Sequence, residues 1–345
     1  MGRQDSRAIV YSEAGDPDVL RLVSRPLPEP GPDEVVVAVR VSGVNPTDWK
    51  SRRSARLGAG MPIAEQVPNQ DGAGTIHSVG EGVSPALVGQ RVWIWEAAWQ
   101  RSQGTAQEYV ALPARQAVPL PHDASFDLGA SIGIPALTAH RCLTISEAGP
   151  SSLAPGALSG RVVLVAGGAG AVGHAAIQLA RWAGATVIAT ISTQAKAQIA
   201  RAAGANHVFD YRRNDAADEI RELAPQGVDV IVEVAPAANA GLDVAIVAEH
   251  GTVAAYASDA DEMSVPVREL MFRNVRYQFV LVYTVPAEAK DTAVSDVSAA
   301  VAAGALPVGE GAGLPLHRFP LERTADAHAA VEAGAVGKVL VDVTT

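Results

Sequence analysis

Residues 163–180 read VLVAGGAGAVGHAAIQLA, a continuous apolar run that breaks into glycines and then resumes with a different period. The run ends as a strand at Ala166, and a helix is predicted to begin near Ala171, with Val172, Ala176, Leu179 and Ala183 recurring on one face. Strand, turn and helix in that order raise the spacing Gly168, Gly170, Gly173 above a chance G-x-G-x-x-G match. Each glycine has a task in such a turn. Gly168 permits the tight turn, Gly170 lets backbone approach a pyrophosphate, and Gly173 lets the helix pack closely on the strand. The helix start adds unpaired N–H groups and the positive end of the dipole, which suit an anion.

The segment that follows narrows the ligand. A second strand is predicted to end in VIATISTQAK, and no Asp or Glu occurs between Glu147 and Asp210. A carboxylate about 20 residues beyond the turn is the usual partner of an unphosphorylated ribose. Here Ser192, Thr193 and Lys196 stand instead, and they suit a 2′-phosphate. The expectation is NADPH.

Further outward, the runs RVVLVA, ATVIAT, NHVFDY, VDVIVEV, GTVAAY and YQFVLVY read as strands, with helices such as 172–183 and 194–203 between the early ones. Continuous apolar strands alternating with helices predict a parallel sheet covered on both faces, a doubly wound fold. Upstream, EVVVAVRVSGV, GAGTIHSVG, QRVWIW and EYVALPARQAV are short β-rich runs broken by Gly and Pro, which predict a small curved all-β unit. Trp49, Trp93, Trp95 and Trp99 lie in it, and core packing is the expected role of Trp93 and Trp95. After residue 287 a helical stretch and a closing strand, GKVLVDV, are expected to fold back onto the β unit. The predicted division is 1–130 with 288–345, and 131–287.

The bulk numbers agree with a two-domain globular protein: 345 residues, 48% hydrophobic, 19% charged. A net charge of −10, without a basic stripe, argues against nucleic acid or an anionic membrane as partner. A single cysteine, Cys142, forms no intrachain disulfide, and eight scattered histidines show no ligand spacing. No apolar run reaches the roughly 18 residues needed to span a bilayer, and the N-terminus lacks the apolar core of a signal peptide. The expected setting is cytoplasmic.

With these motifs in order along almost the whole chain, the sequence resembles the medium-chain dehydrogenase/reductase superfamily, in its zinc-independent quinone oxidoreductase branch. The resemblance is carried by SGVNPTDWKSR, PNQDGAGTIHSVGEGV, GASIGIPALTAHRCL, VLVAGGAGAVGHAAIQLA, GANHVFDYR and the terminal GKVLV. It implies an α/β architecture, a GroES-like β-rich catalytic domain made from both chain ends with an inserted Rossmann domain. It also implies that Asn45 and Thr138 lie near the nicotinamide, and that Gly170, Ala171 and Val172 approach the pyrophosphate. Ser192, Lys196 and Tyr211 fall where this branch meets the 2′-phosphate. Tyr256, Phe279, Val280, Leu281 and Lys338 match cofactor-lining positions, and the 279–281 segment is also close to the usual dimer seam. A homodimer through the Rossmann sheet edge is the implied assembly. PNQD replaces the Gly-His-Glu of zinc members, with Asn69 and Gln70 in place of the glycine and the ligand histidine, so no metal is expected.

What remains is hydride chemistry in which the substrate delocalises the incoming electrons, as a quinone or an α,β-unsaturated carbonyl does. Asn45 is expected to orient the nicotinamide or a substrate carbonyl. Trp49 is placed to stack on a flat substrate, and Lys50 stands where quinone reductases often carry tyrosine. His140, near Thr138, reads as a satisfied helix histidine rather than a proton donor, and His77 as structural. Asp48 and Asp71 are expected to hold loops by hydrogen bonds. A non-catalytic NADPH-binding protein and a dedicated natural-product reductase are the competing readings.

Overall fold

The computed structural model describes residues 5–54, 65–213 and 215–344, and two compact units divide the chain: residues 1–134 with 315–345, and residues 135–314. The N-terminal leader reading falls partly on residues 1–4, outside the described residues.

The first unit begins with β1 (Asp5–Val10) and β2 (Arg21–Pro26), an antiparallel pair. Then come β3 (Glu34–Val44), β4 (Asp71–Val79), β5 (Arg91–Ile94), β6 (Tyr109–Pro113) and β7 (Ala117–Pro119). A helix the β-rich texture did not suggest, α1 (Pro46–Ser54), follows β3, and α2 (Phe126–Leu143) crosses the division between the units. In β3, Val35, Val36, Val37, Val39, Val41 and Val44 are all buried, and Val35, Val37, Val39 and Val44 belong to one core with Ile76, Val92, Ile94, Val110 and Leu112. Trp93 and Trp95 are buried in this unit.

The second unit carries β8 (Val162–Ala166), α3 (Ala171–Trp182), β9 (Thr186–Ile191), α4 (Gln194–Ala202), β10 (His207–Asp210), α5 (Ala216–Leu223), β11 (Val228–Glu233), α6 (Pro236–Ile246), β12 (Val247–Ala255), α7 (Val267–Phe272), β13 (Arg276–Phe279) and α8 (Ala287–Ala302). The six strands form one parallel sheet in the order β10-β9-β8-β11-β12-β13. That is the Rossmann order, and it reverses between β8 and β11, where such sheets bind ligands beyond the strand ends. The core beneath it includes Leu164, Ile188, Ile220, Ile231 and Val253, all buried. The last predicted strand is shorter than YQFVLVY suggests, because the chain leaves β13 after Phe279 and turns at Val282–Thr284.

The chain closes with β14 (Leu316–Pro320), α9 (Thr324–Glu332) and β15 (Lys338–Asp342), which return to the first unit. There β15 pairs antiparallel with β3, in a sheet ordered β14-β15-β3-β4-β5-β7 with β6 also on β3. The stretch 288–314, expected in the first unit, falls in the second. Asp296 of α8 accepts hydrogen bonds there from Leu153 N (2.6 Å), Ser152 Oγ (2.9 Å) and His140 Nε2 (2.7 Å), so a buried carboxylate ties this helix to that unit.

Candidate active site

In the glycine turn the division of labour differs from expectation. The left-handed residue is Gly167, with φ 67°, and it is Gly167 rather than Gly168 that makes the turn. Gly168 is small for packing: a Cβ there would lie 2.9 Å from Ile177 Cδ1 and 3.0 Å from Ala189 Cβ. Gly173 allows close approach, since its Cβ would fall 2.4 Å from the Gly167 carbonyl oxygen. Gly170 has ordinary extended backbone (φ −80°, ψ 164°), and a Cβ on it would meet only Gly167 O, at 3.6 Å. Nothing within the protein requires glycine at that position. It begins α3, no side chain caps the helix, and Ala171 and Val172 form its first turn. Open space over an uncapped helix start fits a pyrophosphate.

At the end of β9 the residues expected to read the ribose come together. Thr193 caps α4, its hydroxyl accepting the Lys196 N–H at 3.3 Å, and Lys196 Nζ donates to Ser192 Oγ at 3.2 Å. Tyr211 joins them from the end of β10, its N–H bonded to Ile191 O at 3.2 Å, and its side chain is exposed. Tyr256 follows β12, where its N–H donates to Glu233 O at 3.0 Å, and burial pushes its phenol pKa up. Phe279 and Leu281 are exposed, whereas Val280 is buried. Thr138 is buried on α2. His140 is bonded to Asp296, in line with the structural reading.

In the first unit a different group of residues converges. The β15–β3 register pairs Val339 with Val44, and β3–β4 pairs Gly43 with Asp71, which sets Lys338 and Asp71 beside Asn45. Lys338 Nζ donates to Asn45 Oδ1 at 2.7 Å and lies 3.5 Å from Asp71 Oδ2. Asn45 Nδ2 donates to Asp71 Oδ2 at 2.7 Å, and Asn45 N donates to Asp48 Oδ2 at 2.6 Å. All four residues are buried. Burial drives the Asp48 carboxyl up to about 8, reinforced by the charge of Asp71 and opposed by the Asn45 N–H and Lys338. Burial likewise raises Asp71 and lowers Lys338, each shift opposed by the charge of the other, and both Asp71 oxygens accept N–H donors, from Asn45 and Ile134. Asp48 and Asp71 do hold the chain by hydrogen bonds, as expected; their common charge cluster with Lys338 was not legible from spacing. Trp49 and Lys50 sit on α1, both partly exposed, with Lys50 Nζ 5.8 Å from the Trp49 ring centroid.

The PNQD segment is committed to hydrogen bonds. Asn69, left-handed at φ 77°, donates from Nδ2 to Ser42 Oγ at 2.9 Å and accepts from His328 Nε2 at 2.9 Å. Burial lowers His328 to about 3, which keeps it neutral. Gln70 Oε1 accepts from Ala98 N at 3.0 Å. This donor set does not fit a zinc ion, and among the described residues no three His, Cys, Asp or Glu side chains group as metal ligands.

One further buried cluster escaped the sequence reading. Glu233, at the end of β11, accepts on Oε1 from Ala235 N (2.5 Å) and Asn239 Nδ2 (2.9 Å), while its Oε2 and both oxygens of buried Asp243 on α6 have no hydrogen-bond partner among the described residues. Burial and then the Glu233 charge push Asp243 up to about 9, which favours its protonated form.

Comparison with known proteins agrees with this architecture. Residues 31–122 match the family model described as alcohol dehydrogenase GroES-like domain, and residues 171–299 the one described as zinc-binding dehydrogenase. The chain is 31% identical over 345 residues to a quinone oxidoreductase of Lama guanicoe, covering 98% of each. Among solved structures it is similar to an NAD-dependent alcohol dehydrogenase (TM-score 0.83, 27% identity, 98% and 100% of the two chains). It is also similar to a mycobacterial protein complexed with NADPH (TM-score 0.78, 29% identity, 97% and 99%). A β unit built from both chain ends, a Rossmann sheet between them and a near full-length relative together make the chain a member of the medium-chain dehydrogenase/reductase superfamily, in its quinone oxidoreductase branch.

Proposed function

We propose that this protein is an NADPH-dependent oxidoreductase that reduces a quinone or an α,β-unsaturated carbonyl. The observation that carries the reading is the open position over Gly170 at an uncapped helix start, followed by Ser192, Thr193 and Lys196 at the end of β9 without a carboxylate between Glu147 and Asp210. Gly167 turns the chain and its carbonyl takes the Gly170 N–H at 3.0 Å, which leaves the N–H groups of Ala171 and Val172 to hold the pyrophosphate beside Gly170, while Gly168 and Gly173 keep α3 tight on the sheet. Lys196, Ser192, Thr193 and Tyr211 hold the 2′-phosphate, a charge-assisted contact that an acidic residue would oppose. Bound NADPH supplies the hydride.

The remaining residues orient and exclude water. In the first unit Asn45, bonded to Lys338, orients a reacting group; in the second unit Thr138, Tyr256 and Val280 are the positions assigned to the cofactor. Trp49 and Lys50 face the substrate, Trp49 offering a flat apolar surface and Lys50 a donor to an oxygen that gains charge. Steady-state oxidation of NADPH with 1,4-benzoquinone, 9,10-phenanthrenequinone and a panel of enones tests the reading. Turnover with NADPH well above that with NADH is expected; bound NADPH that reduces none of them overturns it.

The protein acts as a cytoplasmic homodimer in this reading. Support comes from β13, the sheet-edge strand, where Phe279 is 63% exposed beside Leu281 at 41%, and from α7, which exposes Met271 and Phe272. A second copy pairing along that edge would cover them.

A further inference from the structure

Asn45 is the neutral residue around which the buried charges of the first unit gather. Its carboxamide is bonded at both ends: Lys338 Nζ donates to Oδ1 at 2.7 Å, and Nδ2 donates to Asp71 Oδ2 at 2.7 Å. Which end is oxygen is forced by the partners. Lys338 carries only donors and ionised Asp71 only acceptors, so a flipped amide would set donor against donor and acceptor against acceptor. Asp71 is itself held by Ile134 N–H on Oδ1 at 2.8 Å, and the Asn45 main chain is pinned by Asp48 at 2.6 Å. Residues on β4 and β15 thus fix the Asn45 side chain, and one on α1 its main chain. Only the second Nδ2 N–H has no partner among the described residues.

We propose that Lys338 and Asp71 are positioning residues that lock Asn45 as a one-way hydrogen-bond donor, so that the ligand group it receives is a carbonyl oxygen. An unrestrained carboxamide rotates to serve a donor or an acceptor; a locked one accepts only acceptors, and a ligand without that oxygen leaves a buried N–H unpaired. The carbonyl has two possible sources in the proposed reaction, the nicotinamide carboxamide and the quinone or enone substrate. The inference rests on that proposed reaction for the ligand's identity and on the ligand-free protein for the lock.

The lock is read by NMR of protein labelled with [15N]asparagine, where six asparagines keep the side-chain spectrum simple and Asn45→Asp identifies the signal. In the ligand-free protein two distinct, slowly exchanging Asn45 Nδ2 protons are expected. Lys338→Met is expected to speed their exchange about tenfold or more, the cost of one net hydrogen bond. Lys338→Gln, which removes the same charge but keeps a donor toward Oδ1, is expected to restore most of the protection. Equal spectra for the two variants, or no change in either, overturn the lock.

Ligand arms then identify the carbonyl. A shift of the free N–H with NADP+ but not with 2′,5′-ADP assigns it to the nicotinamide, and a shift only with 1,4-benzoquinone assigns it to the substrate. No shift with any of them, while fluorescence shows NADPH bound, overturns the donor role. Absence of NADPH binding instead overturns the cofactor reading, and the ligand-free spectra still decide the lock. In kinetics, Asn45→Ala and Lys338→Met are each expected to lower kcat/KM at least tenfold, with the double variant within twofold of the worse single one. Additive losses overturn action through Asn45.

Discussion

Lys196 reaches back one helical turn to Ser192, with its ammonium 3.2 Å from the hydroxyl, at the point where β9 gives way to α4. The two present a cation and a hydroxyl at a strand end that holds no carboxylate. Lys196→Ala is therefore expected to weaken NADPH by about tenfold or more, the scale of a lost charge-assisted hydrogen bond, and to leave NADH unchanged. Fluorescence titration with both cofactors measures this; equal losses for the two refute the 2′-phosphate assignment.

Two glycines three residues apart at the start of α3 should respond oppositely to one methyl group. Gly170→Ala adds its Cβ into space bounded only by Gly167 O at 3.6 Å, so the melting temperature should hold while NADPH affinity falls. Gly173→Ala drives its Cβ to 2.4 Å from the same carbonyl oxygen, and overpacking of this kind costs about 1–3 kcal/mol. Calorimetry paired with NADPH titration separates the two; a Gly170→Ala protein with native affinity would remove the pyrophosphate from this turn.

The Asp243 and Glu233 pair makes stability depend on pH. Burial and the Glu233 charge push Asp243 up to about 9 in the folded protein, above its unfolded value, so the stabilisation is fully present below the unfolded pKa and is lost as pH rises through the folded one. Asp243→Asn removes that titration. Across pH 6–9 the loss of stability per pH unit should become smaller by about 1.4 kcal/mol, one proton's worth. Urea unfolding at several pH values gives the slopes, and parallel slopes contradict a raised Asp243 carboxyl.

Exposed Phe279 at the sheet edge leads to a prediction on assembly. Phe279→Asp places a charge in the proposed seam and is expected to convert a dimer into a monomer in light scattering. A monomeric native protein at micromolar concentration would refute the edge-to-edge dimer.

Local pattern carried much of this protein's reading. The strand, glycine and helix succession around 163–180 is a change of period within a few residues, and the acid-free stretch after it is a matter of composition; neither needs tertiary contacts to be seen. The exchange of tasks between Gly167 and Gly168 was not legible, because both precede the helix and only the packing of Ile177 and Ala189 shows which one lacks room for a side chain. Likewise, His328 and Asn69 bond across 259 residues, which no spacing rule reaches.

The sequence by itself determined the Rossmann sheet, the second β-rich unit from both chain ends, and the kind of dinucleotide the turn and its sequel suit, since these rest on periodicity, turn chemistry and charge within short windows. Tertiary structure decided where residues 288–314 belong, through Asp296, and decided what surrounds Asn45. Lys338 lies 293 residues from Asn45, and only the antiparallel register of β15 on β3 brings its ammonium to the amide. Burial then makes that neighbourhood matter, because charges removed from water must satisfy one another and in doing so fix the side chain between them.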